Sequence, residues 1–159
     1  MPVIKTTTII NAPIGICFDL SRDIGIHQES VARTNEKAVA GRLSGLCESG
    51  DTVTWEAVHL GVKQRLSVEI LNVKYPDYFE DRMLKGAFKR FHHKHYFRND
   101  SGRTIMNDEF DYTSPLGWLG KLADYLFLEK YMTGFLLERN AFIKKRAEEL
   151  SAENKLTGF

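Results

Sequence analysis

Residues 62–73 read VKQRLSVEILNV, and their alternation decides the fold class. Gln64, Leu66, Val68 and Ile70 fall on one side of an extended chain and Lys63, Arg65, Ser67 and Glu69 on the other. This is the period-two pattern of a strand with one face in a core and one in water. It continues in both directions. Upstream, Val53, Trp55, Ala57 and His59 share the inner face of a preceding strand. Downstream, strands are predicted over 78–84, 90–98 and 103–113, separated by Lys85-Gly86-Ala87 and by Asn99-Asp100-Ser101-Gly102, which both carry turn chemistry. Such spacing predicts consecutive hairpins and an antiparallel sheet of about seven strands.

The flanks of this region are different. Residues 3–10 are rich in Ile, Val and Thr, whose branched Cβ suits a pleated surface, and predict a first strand that Asn11-Ala12-Pro13 ends. Pro13 fits a first helical turn, and Ile14, Cys17, Phe18 and Ile24 recur at helical intervals, predicting two short helices up to Ser30. After Ser114-Pro115, residues 117–152 are rich in Leu, Lys, Glu, Ala and Arg and predict one long helix, straight or kinked. Its first half is apolar over a wide arc (Trp118, Leu119, Leu122, Ala123, Leu126, Phe127), as for a segment held between two surfaces. Later the stripe narrows to Leu136, Ile143, Ala147 and Leu150. The chain is expected to be a single domain over 1–152 with a short, frayed polar tail over 153–159.

Composition narrows the function classes. Lys plus Arg number 22 and Asp plus Glu 21, so a net charge of +1 supplies no global field for nucleic acid. Hydrophobic residues at 43% and charged ones at 27% describe an ordinary globular chain and exclude disorder by composition. Cys17 and Cys47 lack disulfide-scaffold or zinc-site spacing and read as reduced thiols. No apolar run is long enough for stable membrane insertion, which predicts a cytoplasmic protein. Gly-x-Gly-x-x-Gly and Walker spacings are absent, so no nucleotide site is expected.

Strand, two short helices, a run of antiparallel strands and a long last helix make an α+β order in which a curved sheet can wrap the C-terminal helix. This layout resembles the helix-grip fold of the START and polyketide-cyclase/dehydrase superfamily, also called SRPBCC, over almost the whole chain. GDTVTWEAVHLGVKQ (50–64), FEDRMLKGAFKRFHHKH (79–95) and DEFDYTSPLGWLG (108–120) resemble a family of bacterial ligand-binding SRPBCC proteins. The resemblance implies a deep cavity between sheet and long helix that accepts hydrophobic or amphipathic molecules, with chemistry in some branches only.

Inner-face polar groups mark where such a cavity has a wall, because burying them is unfavourable unless they are paired or used. By alternation, Phe79, Asp81 and Met83 point inward on one strand, Phe91, His93, His95 and Phe97 on the next, and Met106, Asp108, Phe110 and Tyr112 on the third. A first turn centred on Ala87 pairs Asp81 with His93 and Phe79 with His95. A second centred on Asp100-Ser101 pairs His93 with Asp108 and His95 with Met106. His93 is then expected between two carboxylates. Outward Glu80 is expected opposite Lys94, and Asp111 opposite Arg90, as favourable cross-strand pairs.

The row Asp81, His93, Asp108 has three readings. It is a buried hydrogen-bonded network, or it orients a ligand's polar group in an apolar pocket, or its carboxylates raise the His93 pKa and make it a general acid or base. No nucleophile or oxyanion motif accompanies it, so the enzyme reading, a cyclase, dehydratase or isomerase, is the alternative to a binding module for a lipid-like or aromatic, polyketide-like molecule. His93 and His95, two apart on one strand face with Asp81 or Asp108 near, are weak metal candidates, and no cofactor is expected. Trp55, Phe79, Met83, Phe91 and Phe110 are expected to line the pocket, His59 to guard its mouth, and Asn140, on the buried stripe of the long helix, to face ligand or sheet. The apolar arc at 118–127 suggests a weaker third function, a homodimer interface.

Overall fold

The structure, a computed structural model, describes residues 2–115 and 117–158, and the side chains of these except 124 and 125. Strand β1 (Val3–Ile10) leads into α1 (Ile14–Arg22) and α2 (Ile24–Ser30). Strands β2 (Lys37–Gly41), β3 (Thr52–His59), β4 (Val62–Lys74), β5 (Tyr78–Lys85), β6 (Arg90–Asp100) and β7 (Arg103–Thr113) follow. The chain closes with α3 (Gly117–Ala123), a π turn (Asp124–Leu128) and α4 (Glu129–Thr157). All seven strands form one antiparallel sheet in the order β1-β7-β6-β5-β4-β3-β2. Register shifts on β2 between Ala38 and Ala40, and on β4 at Ser67/Val68 and Ile70/Asn72, bend the sheet. Helix α4 packs on β1, α1 and α2 across the hollow this bend creates, the α+β helix-grip arrangement expected from the element order.

Local chemistry accounts for the entry of each short helix. Pro13, with φ −59°, is preset for the first turn of α1. Asp23 caps α2 by accepting a hydrogen bond from the Ile26 backbone N–H at 2.9 Å. The interior falls into two clusters. Around Phe18, the residues Ile10, Ala12, Cys17, Phe79, Phe97, Met106, Ile143 and Ala147 form a filled end beneath α1. Toward the other end, Ile24, Val53, Trp55, Val68, Ile70, Phe91, Phe110, Met132 and Leu136 surround a hollow.

Several expectations need correction. The second turn is centred on Ser101-Gly102, one residue later than expected: Asp100 pairs with Arg103, and Ser101 and Gly102 have φ of 53° and 86°. Two successive left-handed residues define a type I′ turn, and Gly102 takes the second position without strain. Moving the centre by one residue moves every partner by two. His95 therefore faces Asp108, His93 faces Phe110, and Phe97 faces Met106. Arg90 faces Thr113 but still reaches Asp111 diagonally at 2.9 Å. The first turn is as expected, with Asp81 opposite His93 and Phe79 opposite His95.

The long helix is present as expected, helical without a gap from Gly117 to Thr157, with a π turn at Asp124–Leu128 joining α3 to α4. The apolar arc of its first half, however, is not held between two surfaces: Trp118 is 74% exposed and Leu126 65%. Gly120 is the buried residue of α3, and a Cβ there would meet the Pro115 carbonyl oxygen at 2.0 Å. The glycine face, not the aromatic face, is thus the one that approaches the body of the protein. At the other end α4 runs through the stretch expected to fray, to Thr157, and Gly158 caps it with φ 76°. Outward Glu80 stands opposite Lys94 as expected, but it is buried and its carboxylate is taken up by hydrogen bonds with Asn72 and with His92 Nε2, the latter at 2.5 Å.

Candidate functional site

Between the sheet and α4 lies a cavity of about 300 Å³. Its walls are mainly apolar: Val53, Trp55 and Ala57 of β3, Leu66, Val68 and Ile70 of β4, Phe79 of β5, Phe91 of β6, Phe110 of β7, and Met132, Phe135 and Leu136 of α4. The period-two rule explains this lining, since each strand delivers alternate side chains to the concave face. His27 tilts over Trp55 with ring centroids 4.4 Å apart.

Polar groups gather at two places. At one end His27 Nε2 lies 2.7 Å from Glu36 Oε1, and His59 Nδ1 lies 2.9 Å from the Tyr131 hydroxyl. Glu36 Oε2 bridges them loosely, 3.9 Å from His59 Nε2. Burial lowers the His59 pKa, against the pull of Glu36.

The second place is the inner wall, where Asp81, His93 and His95 line the cavity beside Arg139. His95, not His93, stands between the carboxylates. Its Nδ1 donates to Asp108 Oδ1 at 2.7 Å, and its Nε2 lies 3.4 Å from Asp81 Oδ1. Its ring stacks on Phe79 at 4.0 Å and lies 3.9 Å from that of His93. Asp108 is fully enclosed and accepts further hydrogen bonds from Asn140 Nδ2 at 2.6 Å and Thr6 Oγ1 at 3.2 Å. Arg139, also buried, donates to Asn140 Oδ1 at 3.0 Å and to the Ser21 carbonyl at 2.9 Å. Its guanidinium is 3.9 Å from Asp108 Oδ1.

The electrostatics follow from this packing. Burial works to raise Asp108, yet the imidazoles of His93 and His95 hold it well below the ordinary carboxylate range. Burial likewise opposes ionisation of Asp81, and the His95 hydrogen bond with the nearby His93 outweighs it, so Asp81 is lowered too. His93 moves opposite to the expectation of a raised pKa. Burial and the adjacent His95 push it down to about 4, outweighing the pull of Asp108, whose Oδ1 is 3.4 Å from its Nε2, and of Asp81. It is neutral near pH 7 and so unsuited to act as a general acid there.

Of the expected pocket residues, Trp55, His59, Phe79, Asp81, Phe91, His93, His95 and Phe110 line the cavity. Met83, Asp108 and Asn140 do not. Met83 packs against the core cluster beside Leu66 and Gly86, and Asp108 is buried under the wall, hydrogen bonded by Asn140 and His95. Arg139, Glu36 and His27 are additions that the sequence pattern does not single out. The only sequence signal for Arg139 is its place beside Asn140 on the inner stripe of the helix, and Glu36 sits in a connection with no periodicity.

No family model and no curated protein sequence matches the chain. Solved structures do match. The protein TTHA0849 from Thermus thermophilus is similar with a TM-score of 0.77 at 19% identity, over 94% of this chain and 99% of that one. A START superfamily protein from Mycobacterium smegmatis gives 0.69 at 13% identity, over 93% and 98%. Ginseng major latex-like protein 151 from Panax ginseng gives 0.66 at 14%, over 92% and 97%. At such identities the likeness is one of backbone architecture, and it extends over nearly the full length of each partner. The chain has the helix-grip fold of the START and SRPBCC proteins.

Proposed function

We propose that this protein binds a hydrophobic or amphipathic small molecule, lipid-like or aromatic and polyketide-like, in the cavity between the sheet and α4. The observation that carries the reading is a hollow of about 300 Å³ with mainly aromatic and aliphatic walls and a compact polar group on one side. That division suits a ligand with an apolar body and one polar end. The volume is at the small end for ligand sites, so a single ring system or short acyl chain fits better than a two-chain lipid.

The test is direct. Titration with 1-anilinonaphthalene-8-sulfonate is expected to saturate at one dye per chain and to quench Trp55, with Trp55→Phe separating that signal from Trp118. Dye binding that does not saturate, or that leaves Trp55 unquenched, removes the reading. Native mass spectrometry of the purified protein against its denatured mass then identifies the class of any retained molecule.

One observation favours a second reading, an acid–base enzyme of the cyclase, dehydratase or isomerase type. His95 is oriented through Nδ1 by buried Asp108 while its ring edge lies at the cavity wall, an arrangement that fixes a tautomer for proton transfer. The base is then His95, with His93 beside it. Conversion of a bound ligand that His95→Gln abolishes while dye binding persists distinguishes this from simple carriage.

A further inference from the structure

We infer that Asp81, His93 and His95 form a binding site for a divalent first-row transition-metal ion such as Zn2+, set into the wall of the cavity. Two unmet needs of the cluster point there. The first is an orphan nitrogen: His93 is only 8% exposed, yet its Nε2 has no hydrogen-bond partner among the described residues. The second is a missing cation. Asp81 and Asp108 bring two carboxylates, and the buried Arg139 brings one guanidinium. His95 lies between the two carboxylates, its Nδ1 2.7 Å from Asp108 Oδ1 and its Nε2 3.4 Å from Asp81 Oδ1, and a neutral imidazole has one proton to offer the pair. Whichever carboxylate that proton serves, His93 Nε2 stays orphaned. One metal ion held among the three side chains answers both needs.

The donor set has the right chemistry and placement. One ligand atom from each residue lies within 4.8 Å of the other two. Tetrahedral zinc ligands stand roughly 3.4 Å apart, so modest side-chain rotation closes the set. Two imidazoles and one carboxylate suit zinc and its late first-row neighbours. Asp108 supplies the outer support typical of such sites, fixing His95 through Nδ1 while Thr6 and Asn140 fix Asp108 in turn. All three donors line the cavity, so the remaining coordination positions open toward its interior. The site is independent of which organic molecule fills the apolar part.

The experiment uses the full chain freed of metal with a chelator, with no organic ligand added. Calorimetric titration with ZnCl2 is expected to give one Zn2+ per chain, and CoCl2 to give the intense visible bands of a low-coordinate ion. Asp81→Asn and His93→Gln are each expected to weaken Zn2+ binding by at least about tenfold. His92→Gln, on the opposite face of β6, is expected to leave it unchanged. Nitrogen chemical shifts of the imidazoles in the wild-type protein give a readout needing no variant: Zn2+ is expected to move those of His93 and His95 and not that of His92. Absence of stoichiometric binding, binding retained in either cavity variant, loss in His92→Gln, or unmoved His93 and His95 signals overturns the inference. Since no organic ligand is present, failure here is distinct from failure of dye binding.

Discussion

The two ends of the interior are built on the same strands and packed against the same helix, yet one is solid and the other hollow. At the filled end Phe18 makes edge contacts with Tyr75, Phe79 and Phe97 at ring separations of 5.4, 5.6 and 5.2 Å, and Ala147 lets α4 come close. At the hollow end Trp55, Phe91 and Phe110 lie along the wall and leave about 300 Å³ between them and α4. The boundary is the stacked pair Phe79 and His95. Phe79 belongs to the filled cluster and also lines the cavity. The polar wall thus meets the solid end through His95, whose stacking on Phe79 helps fix a side chain that must hold its geometry.

This contrast is testable by substitution, and the largest effect is expected at the solid end. Phe18→Ala should cost about 3–5 kcal/mol in urea unfolding, whereas Phe110→Ala, whose ring already borders a hollow, should cost about half as much or less. Equal losses would mean that the two ends are packed alike. Next is Asp108→Asn, which removes the charge that His95 and Arg139 share; a loss of about 2–3 kcal/mol is expected, measured the same way. A neutral result would show that Asp108 is not the centre of the network.

The sharpest pair involves two alanines. Ala147→Leu should destabilise by about 1–3 kcal/mol through overpacking. Ala57→Leu should change stability by no more than about 0.5 kcal/mol, since the new atoms enter the cavity, and should reduce dye affinity by at least about tenfold. The smallest effect concerns the thiols, one in each cluster. Burial raises Cys17, and burial reinforced by Asp51 pushes Cys47 up to about 12. Both stay protonated at pH 8, so alkylation should be slow in the native protein and should speed up as pH rises. Filling the cavity with Ala57→Leu should slow Cys47, which lines it, and leave Cys17 unaffected, as peptide mapping of the labelled protein would show.

Much of the fold is legible in the sequence because period two and period 3.6 are properties of local sequence. Every inner-face assignment on β6 and β7 agrees with the structure, since the register error is two residues and preserves the face. The same error reassigns the partners, so the histidine between the carboxylates is His95 and not His93. Alternation carries no information about a turn's centre; that rests on which residues accept a positive φ. Strand β2 does not stand out in the pattern because its exposed edge position leaves no regular inner face. Arg139 is equally silent, because a charged residue on a buried stripe is explained only by partners that the fold brings from far along the chain, here Ser21 and Asp108.

The π turn between α3 and α4 is also a phase shifter. Each residue added to a helix rotates what precedes it by about 100° about the axis. The interruption at Asp124–Leu128 therefore uncouples the direction in which α3 faces from the stripe that α4 must keep against the sheet. Substitutions at Trp118 and Leu122 can accumulate without disturbing Leu136 or Ile143, so the exposed helix can change its surface chemistry on a separate evolutionary clock from the helix that the sheet grips.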